Sequence, residues 1–340
     1  MPIQKQSWSA GDEMTSAKLN NTGFISFSGD GSDGALNISS GTTTVDCSNE
    51  PIVHLNYTSV SITGTAKLAF SNPYSGGTTI ILTSQGDVTL TSSDLAMIDA
   101  SGMGASAQTN ASNILDALQH YGSHGDNGQG SGSEGGVAFT NLSFYTRTPY
   151  QVLAKRSLSL SPGSGGGTGS NNWSAGTPVS YGTGGRGGGV LLIECNGAFN
   201  FPSGGISVAG EDGLTPDGTG ITSSSGSFWE SSGGGGGGSF AATGGDGGVE
   251  NRLGECGGGG GGAAGQCVIV ANTITSQAGT INSKGGDAGN GTTDSYATGG
   301  GGGGASATNN GSDGTTGTPG LGGAGGASTG GFVIKNYYYN

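Results

Sequence analysis

Three unbroken runs of six glycines constrain this chain more than any other feature of its sequence. They lie at Gly233–Gly238, Gly257–Gly262 and Gly299–Gly304. Because such a run buries no side chain, it is either a flexible linker or backbone that packs closely against other backbone. In the second case its N–H and C=O groups need partners on neighbouring segments. Both interpretations stay open, and we favour packed segments with three residues per turn.

Glycine is concentrated in the later part of the chain. Residues 1–100 contain 10 of the 78 glycines of the 340-residue chain, and 68 follow. This shift predicts a polar leader at 1–22, a β-rich domain at 23–102 and a glycine-rich domain at 103–340. Leu, Ile, Val and Phe are too scarce for the large core of a conventional α/β enzyme.

A pattern of strands repeats along the chain. The copies run from Thr79 to Gly102, from Val190 to Gly210 and from Cys267 to Gly285, and a fourth begins at Gly331. Each full copy reads as an apolar strand, a short second strand and an Ile-x-x-x-Gly strand. Since long, unequal glycine-rich stretches separate the copies, we predict an all-β fold. It would be an irregular β-helix of stacked repeats with polyglycine II-like excursions and one short helix at 111–122.

The charge balance excludes several classes of function. Ten basic and 23 acidic side chains give a net charge of −13, which is the wrong sign for nucleic-acid binding. No apolar stretch is long enough for a transmembrane helix. The residues after Met1 lack the apolar stretch of a secretory signal, so we expect synthesis in a cytoplasm and action outside the cell after release.

No sequence motif predicts a metal or cofactor. His120, His124 and Asp126 have a ligand-like spacing, but a glycine between the histidines favours a surface loop. The stretches 30–34 and 285–291 resemble calcium loops, and we interpret them as Asx-Gly turns.

Two questions about side-chain pairs stay open. Cys256 and Cys267 flank a glycine run and are either bridged or free thiols. We expect no enzyme activity, although some carboxylates could form a glycosidase-type pair. The candidates for such a pair are Glu211, Asp212, Glu230, Glu250 and Glu255.

Aromatic side chains within the glycine-rich stretches are the predicted contact residues. Aromatic rings on loops that a rigid framework holds are typical of surfaces that bind sugars or proteins. Alternatively, each ring fills a gap beside packed glycine. The predicted contact residues are Trp173, Tyr181, Trp229, Phe240 and Tyr296.

The segment from Trp8 to Asn20 resembles a stretch at the start of bacteriophage tail-fibre and related virion proteins. In those proteins a Trp, a Gly-Asp pair and a Thr-Ala-x-x-Leu-Asn motif precede the fibre body, and Ser16 departs from that motif. The hexaglycine runs are similar to those of the receptor-binding adhesins at the fibre tips of T-even-like phages. The resemblance implies that residues 1–22 dock on the particle. The residues that would do so are Trp8, Asp12, Leu19 and Asn20.

These likenesses imply a virion protein, specifically a tail fibre or spike tip that binds a host cell-surface receptor. The receptor would be a glycan or an outer-membrane protein, and the partners would be other virion proteins. A chain with so small a core also gains from forming a homo-oligomer, and the resemblance implies a trimer. Two other functions stay open. One is purely structural, as a capsid decoration, head fibre or filament subunit, and the other is a tailspike that degrades polysaccharide.

Overall fold

The structure is a computed structural model. It describes residues 28–107, 161–171, 182–216, 231–232, 234–238, 242–247, 249–250, 257–291, 297–304, 310–317, 321–326 and 332–335. The strands are β1 (Ala35–Ile38), β2 (Thr42–Asp46), β3 (Ile52–Tyr57), β4 (Ser59–Ile62), β5 (Lys67–Ser71), β6 (Thr79–Ser84), β7 (Val88–Leu90), β8 (Ile98–Asp99), β9 (Ser170–Asn171), β10 (Val190–Phe201), β11 (Gly205–Ser207), β12 (Ser231–Ser232), β13 (Val249–Glu250), β14 (Gln266–Gln277), β15 (Thr280–Asn282), β16 (Ala297–Thr298), β17 (Thr316–Gly317) and β18 (Phe332–Lys335). These ranges contain no helix.

Two parallel β-sheets form what we call the β body. The larger sheet has eight strands in the order β1-β4-β7-β10-β14-β18, and β6 joins it at β10 and carries β3. The smaller sheet has the order β15-β11-β8-β5-β2. Copies of the sequence repeat lie side by side in these sheets. Leu191, for example, is paired with Ile80 of the preceding copy and with Cys267 of the following one.

The predicted fold class, an irregular β-helix of stacked repeats, is wrong. The strands form parallel sheets, and the larger sheet is continuous and curled into a half-barrel. The reason lies in β10 and β14, which the sequence pattern divides into two short strands each. Each is one strand of 12 residues. Irregularities of register at Cys195/Ala198 and Phe199/Asn200 bend the pair, as β-bulges do, so the sheet curls. The predicted helix at 111–122 lies outside the described residues.

The side-chain core of the β body lies between the two sheets. Ile80, Leu191 and Ile269 of the larger sheet pack in one cluster with Ile98 and Ile206 of the smaller sheet. All five side chains are fully buried. Burial of one such side chain contributes about 1.5–3 kcal/mol, so the β body is stabilised in the ordinary way, by apolar side chains.

Ten glycine-rich segments pack beside the β body and form what we call the glycine lattice. They are 163–169, 182–189, 208–215, 234–238, 242–247, 257–265, 283–291, 299–304, 310–315 and 321–326. Backbone hydrogen bonds join neighbouring segments at every third residue. The N–H groups of Gly163, Gly166 and Gly169, for example, all donate to carbonyls of segment 182–189. Because these groups are paired within the fold, the flexible-linker interpretation is wrong for these segments.

Two segments, 257–265 and 299–304, lie inside the lattice. The first exchanges backbone hydrogen bonds with every segment that surrounds it, namely 163–169, 182–189, 208–215, 234–238, 283–291 and 299–304. The second is bonded in the same way to 234–238, 242–247, 257–265, 283–291, 310–315 and 321–326. A Cβ on Gly260 would overlap the carbonyl oxygen of Gly235. Close packing on all sides therefore explains why two of the three hexaglycine runs occur here.

Segments at the lattice surface carry their side chains at a three-residue spacing. Segment 321–326 has Leu321 and Ala324 in an otherwise glycine sequence, and both side chains are exposed. Segment 242–247 has Thr243 and Asp246 at the same spacing, and Thr243 is half-buried whereas Asp246 is exposed. Since three residues complete one turn of such a chain, these side chains point away from the lattice and the glycines face its neighbours.

Arg186 of segment 182–189 joins the lattice to the β body. Its guanidinium donates to the carbonyl oxygens of Gly102 and Gly104, each at 3.0 Å, and to Ser106 Oγ at 2.9 Å. Burial lowers the pKa of Arg186, and the nearby Glu211 carboxylate opposes that shift. These bonds hold one edge of the lattice on the loop that follows β8.

Candidate functional site

The glycine lattice has one end at the β body and an opposite end that we call the distal end. Segment 182–189 leads directly into β10, so Gly189 lies at the body end. Gly163 donates to Gly188 near that end, and Gly169 donates to Gly182 at the other. Successive segments alternate in direction in this way throughout the lattice, because the chain crosses it back and forth.

The segments that flank five connections have their described ends at the distal end. By sequence, these connections comprise residues 172–181, 217–230, 248–256, 292–296 and 318–320. Their described flanking residues are bonded to one another: Leu214 donates to Thr183, Gly234 to Gly258, and Thr315 to Leu321. Two further connections, 239–241 and 305–309, join segments at the body end, where Gly304 donates to Gly237.

Short antiparallel strands tie the bases of these distal connections together. β12 lies between β9 and β13, so Ser231 is paired with both Asn171 and Glu250. β16 is paired with β17, and Ala297 lies opposite Gly317. These strands directly follow or precede lattice segments. The distal end is therefore a set of loop bases whose spacing is held by the lattice and by the strand pairs.

The predicted contact residues belong to these connections. By sequence, Trp173, Tyr181, Trp229 and Tyr296 belong to connections whose described flanks lie at the distal end. Phe240 belongs to the connection 239–241, whose described flanks lie at the body end. All five side chains lie outside the described residues, as do Trp8, Asp12, Leu19 and Asn20. Their assignments to receptor binding and to virion attachment stay predictions.

Two exposed leucines on the distal rim were not found by sequence reasoning. The relative exposures of Leu214 and Leu321 are 60% and 56%. Between them, Asn290 N–H donates to Thr215 Oγ1 at 3.1 Å, and Gly322 N–H donates to Asn290 Oδ1 at 2.8 Å. The sequence feature that could have identified them is their position. A leucine at an outward-facing position of a glycine segment has no apolar core to enter.

Acidic side chains on one face of the lattice form a hydrogen-bonded column. Asp287 N–H donates to Asp212 Oδ1 at 2.7 Å, and Gly325 N–H donates to Asp287 Oδ1 at 2.7 Å. Lys284 Nζ lies 2.7 Å from Asp287 Oδ2. Burial opposes ionisation of Asp287, but the bonds from Lys284 and Gly325 outweigh it and lower its pKa. These carboxylates hold neighbouring segments together.

The carboxylates considered for a glycosidase-type pair have structural partners where they are described. Glu211 Oε2 accepts the Arg186 N–H at 3.4 Å, and Asp212 belongs to the acidic column. Glu250 lies in β13 at the distal end, whereas Glu211 lies near the body end. Glu230 and Glu255 lie outside the described residues.

The turn interpretation is confirmed for the calcium-like stretch 30–34 and is wrong for 285–291, which is part of the extended lattice segment 283–291. Ser32 N–H donates to Asp30 Oδ1 at 3.0 Å, which is an Asx turn, and Gly31 and Gly34 have positive φ. Within the described ranges no group of His, Cys, Asp and Glu side chains could hold a metal. His120, His124 and Asp126 lie outside those ranges.

The described cysteines are free thiols. Cys267 is not bridged, so the alternative of a bond to Cys256 is wrong. Burial raises the pKa of Cys195 to about 11 and that of Cys267 to about 12. Both thiols stay protonated at neutral pH and serve as small apolar side chains of the core.

Comparison with known proteins adds no identification. No family model, curated protein or solved structure matches the chain. Among the described residues, none belongs to a helix that could cross a membrane.

Proposed function

We propose that the chain is a bacteriophage virion protein at the tip of a tail fibre or spike, where it binds a host cell-surface receptor. The contact surface would be the distal end of the glycine lattice. The observation that carries this proposal is that the described bases of five connections lie at one end of the lattice, where short strands tie several of them together.

The lattice supports a binding function because it holds loop bases at fixed positions. Ordering flexible loops on binding costs free energy, and a prearranged framework reduces that cost. In the lattice each segment is bonded to its neighbours through backbone groups. Connections that start from such segments begin at defined points, as binding loops on rigid frameworks do.

The sequence of the distal connections supports contact with a receptor. They contain Trp173, Tyr181, Trp229 and Tyr296 among many Ser, Thr and Gly residues. Large aromatic rings supply contact area at little cost in side-chain entropy, and small polar residues supply adaptable hydrogen bonds. Of the carboxylates considered for a glycosidase-type pair, Glu211 and Asp212 each accept a backbone N–H of a neighbouring lattice segment.

The test is binding of the purified full-length protein to cells of the strain on which the particle grows. We expect saturable binding, and Trp173→Ala and Trp229→Ala should each weaken it at least about tenfold, as contact hot spots do. Leu95→Ala is the matched control, because Leu95 is 78% exposed on the β body. Absence of wild-type binding would contradict the proposed function. Unchanged binding of both tryptophan variants would contradict only the contact assignment.

A further inference from the structure

Segments at the surface of the glycine lattice have no further glycine segment on their outer side in the described part of the chain. Three of them, 208–215, 283–291 and 321–326, lie side by side along one face. Side-chain oxygens of a neighbouring segment accept some of the N–H groups there, and the acidic column is one set of such bonds. Because backbone N–H groups of a folded chain need acceptors, these side chains complete the hydrogen bonding of the surface segments.

Asn290 continues this pattern at the distal end of the same face. Its own N–H donates to Thr215 Oγ1 at 3.1 Å, and its Oδ1 accepts the N–H of Gly322 at 2.8 Å. Both distances lie in the range of ordinary hydrogen bonds. Asn290 therefore joins the middle segment of this face to both of its neighbours.

The bonds of Asn290 lie at the bases of three distal connections. Thr215, Asn290 and Gly322 each lie two residues from the connection that their segment leads into. Those connections are 217–230, 292–296 and 318–320. Gly289 is the last residue of its segment that forms a backbone–backbone hydrogen bond in the described chain. The bonds of Asn290 are therefore the final links between these three segments before the chain continues into the connections.

We propose that Asn290 is a positioning residue for receptor binding, because it fixes the bases of three distal connections relative to one another. The inference rests on the proposed function and adds a residue that acts through the loop bases. Loss of its side chain removes the acceptor of the Gly322 N–H, so the connections start from less defined points. Ordering them on binding costs free energy, which a fixed framework avoids.

A bond of the same kind at the opposite end of the lattice provides a comparison. Asn310 Oδ1 accepts the N–H of Thr243 at 3.0 Å and joins two neighbouring surface segments. Asn310 is exposed, as Asn290 is, and each of them is followed by a glycine. These residues flank the connections 239–241 and 305–309, whose described bases lie at the body end. A variant of Asn310 removes the same interaction and leaves the distal loop bases in place.

The test measures association and dissociation rates of the purified full-length protein on cells of the strain on which the particle grows. Asn290→Ala should slow association at least about fivefold and change dissociation less than about twofold, because association slows when binding requires a conformational change. Thr215→Val removes the acceptor of the other bond and should slow association at least about threefold. Asn310→Ala is the matched control, and its association rate should stay within about twofold of the wild type.

Rescue and amide hydrogen exchange separate positioning from direct contact. Asn290→Asp keeps an oxygen that accepts the Gly322 N–H, so its association rate should return to within about twofold of the wild type. In the free protein, Asn290→Ala should accelerate amide exchange in residues 318–323, and Asn310→Ala should do so around Thr243. The midpoints of thermal unfolding of the two alanine variants should agree within about 2 °C, since each loses one exposed hydrogen bond.

The outcomes distinguish this inference from the proposed function. Unchanged association of folded Asn290→Ala would overturn the positioning role and leave the proposed function untouched. Faster dissociation of Asn290→Ala with unchanged amide exchange would make Asn290 a direct contact, which also overturns it. An equal loss in Asn310→Ala would do the same, because the effect would not be specific to the distal end. Failure of the wild-type protein to bind cells would contradict both this inference and the proposed function.

Discussion

The β body and the glycine lattice both exclude water from backbone, but they do so by opposite means. In the β body, side chains such as Leu191 and Phe199 fill the space between sheets and are fully buried. In the lattice, the absence of side chains lets backbone meet backbone, and a Cβ on Gly260 has no room. The comparison teaches that the two regions are sensitive to opposite changes. The body is damaged by loss of atoms and the lattice by their addition.

The largest effect is expected from a side chain placed inside the lattice. Gly260→Val forces a Cβ against the Gly235 carbonyl, which cannot turn aside as a flexible side chain can. We expect a loss of at least about 5 kcal/mol in the free energy of unfolding, at the upper limit of single substitutions. Urea denaturation measures it. Ala324→Val, on the exposed face of segment 321–326, is the control and should be nearly neutral.

The reciprocal change in the β body removes atoms. Phe199 is fully buried, and its ring centroid lies 6.3 Å from that of Phe201 in an edge-to-face arrangement. Phe199→Ala should therefore cost about 3–5 kcal/mol. If this truncation were tolerated as well as Leu95→Ala, the β body would not depend on side-chain packing as we describe.

A third substitution breaks the joint between the two regions. Arg186→Met leaves the carbonyls of Gly102 and Gly104 without their charged donor, and should cost about 2–3 kcal/mol. Amide hydrogen exchange should become faster in residues 102–106 and stay slow in segment 299–304. Lysine keeps the charge but lacks the planar set of donors. The free energy of unfolding of Arg186→Lys should therefore lie between those of the wild type and Arg186→Met. If amide exchange became faster to the same extent throughout the lattice, Arg186 would not act as a local connection between the lattice and the β body.

The smallest effect concerns the acidic column. The pKa of Asp287 is lowered in the folded state, so its contribution is present at neutral pH and is lost as the pH falls through that lowered pKa. Asp287→Ala should cost about 0.5–1 kcal/mol at pH 7, since the pair is partly exposed. The difference from the wild type should vanish once the carboxyl is protonated. Urea unfolding curves at pH 7 and at a pH below the lowered pKa measure this difference in the free energy of unfolding. A difference that persists at the lower pH would assign the effect to packing.

The sequence predicted those parts of the fold that depend on a repeated pattern of apolar side chains. The repeated apolar strands predicted that Ile98, Ile206 and Ile281 occupy equivalent positions, and they are paired in neighbouring strands. The curl of the larger sheet was missed because a bulge between Cys195 and Ala198 has no side-chain signature. The sequence pattern therefore predicted two short strands where β10 is a single strand of 12 residues.

The arrangement of the glycine segments could not be predicted in detail. The hexaglycine runs indicated close packing, but hydrogen bonds between glycines carry no side-chain code for which segments are neighbours. From the sequence, Arg186 and the acidic residues could be recognised only as charged side chains. Their hydrogen-bond partners depend on which segments are neighbours, because segments distant in sequence, such as 208–215 and 283–291, lie side by side. The contact residues were proposed from residue type and stay a prediction, whereas the distal position of the loop bases follows from the alternating direction of the segments.

The most direct measurement of the central claim is amide hydrogen exchange of the two inner segments in the native protein. Residues 257–265 and 299–304 are bonded through backbone groups to all the segments that surround them. The account predicts protection comparable with that of the first halves of β10 and β14, residues 190–195 and 266–271, which are fully buried. Exchange of these glycine amides at the rate of an unstructured chain would contradict it.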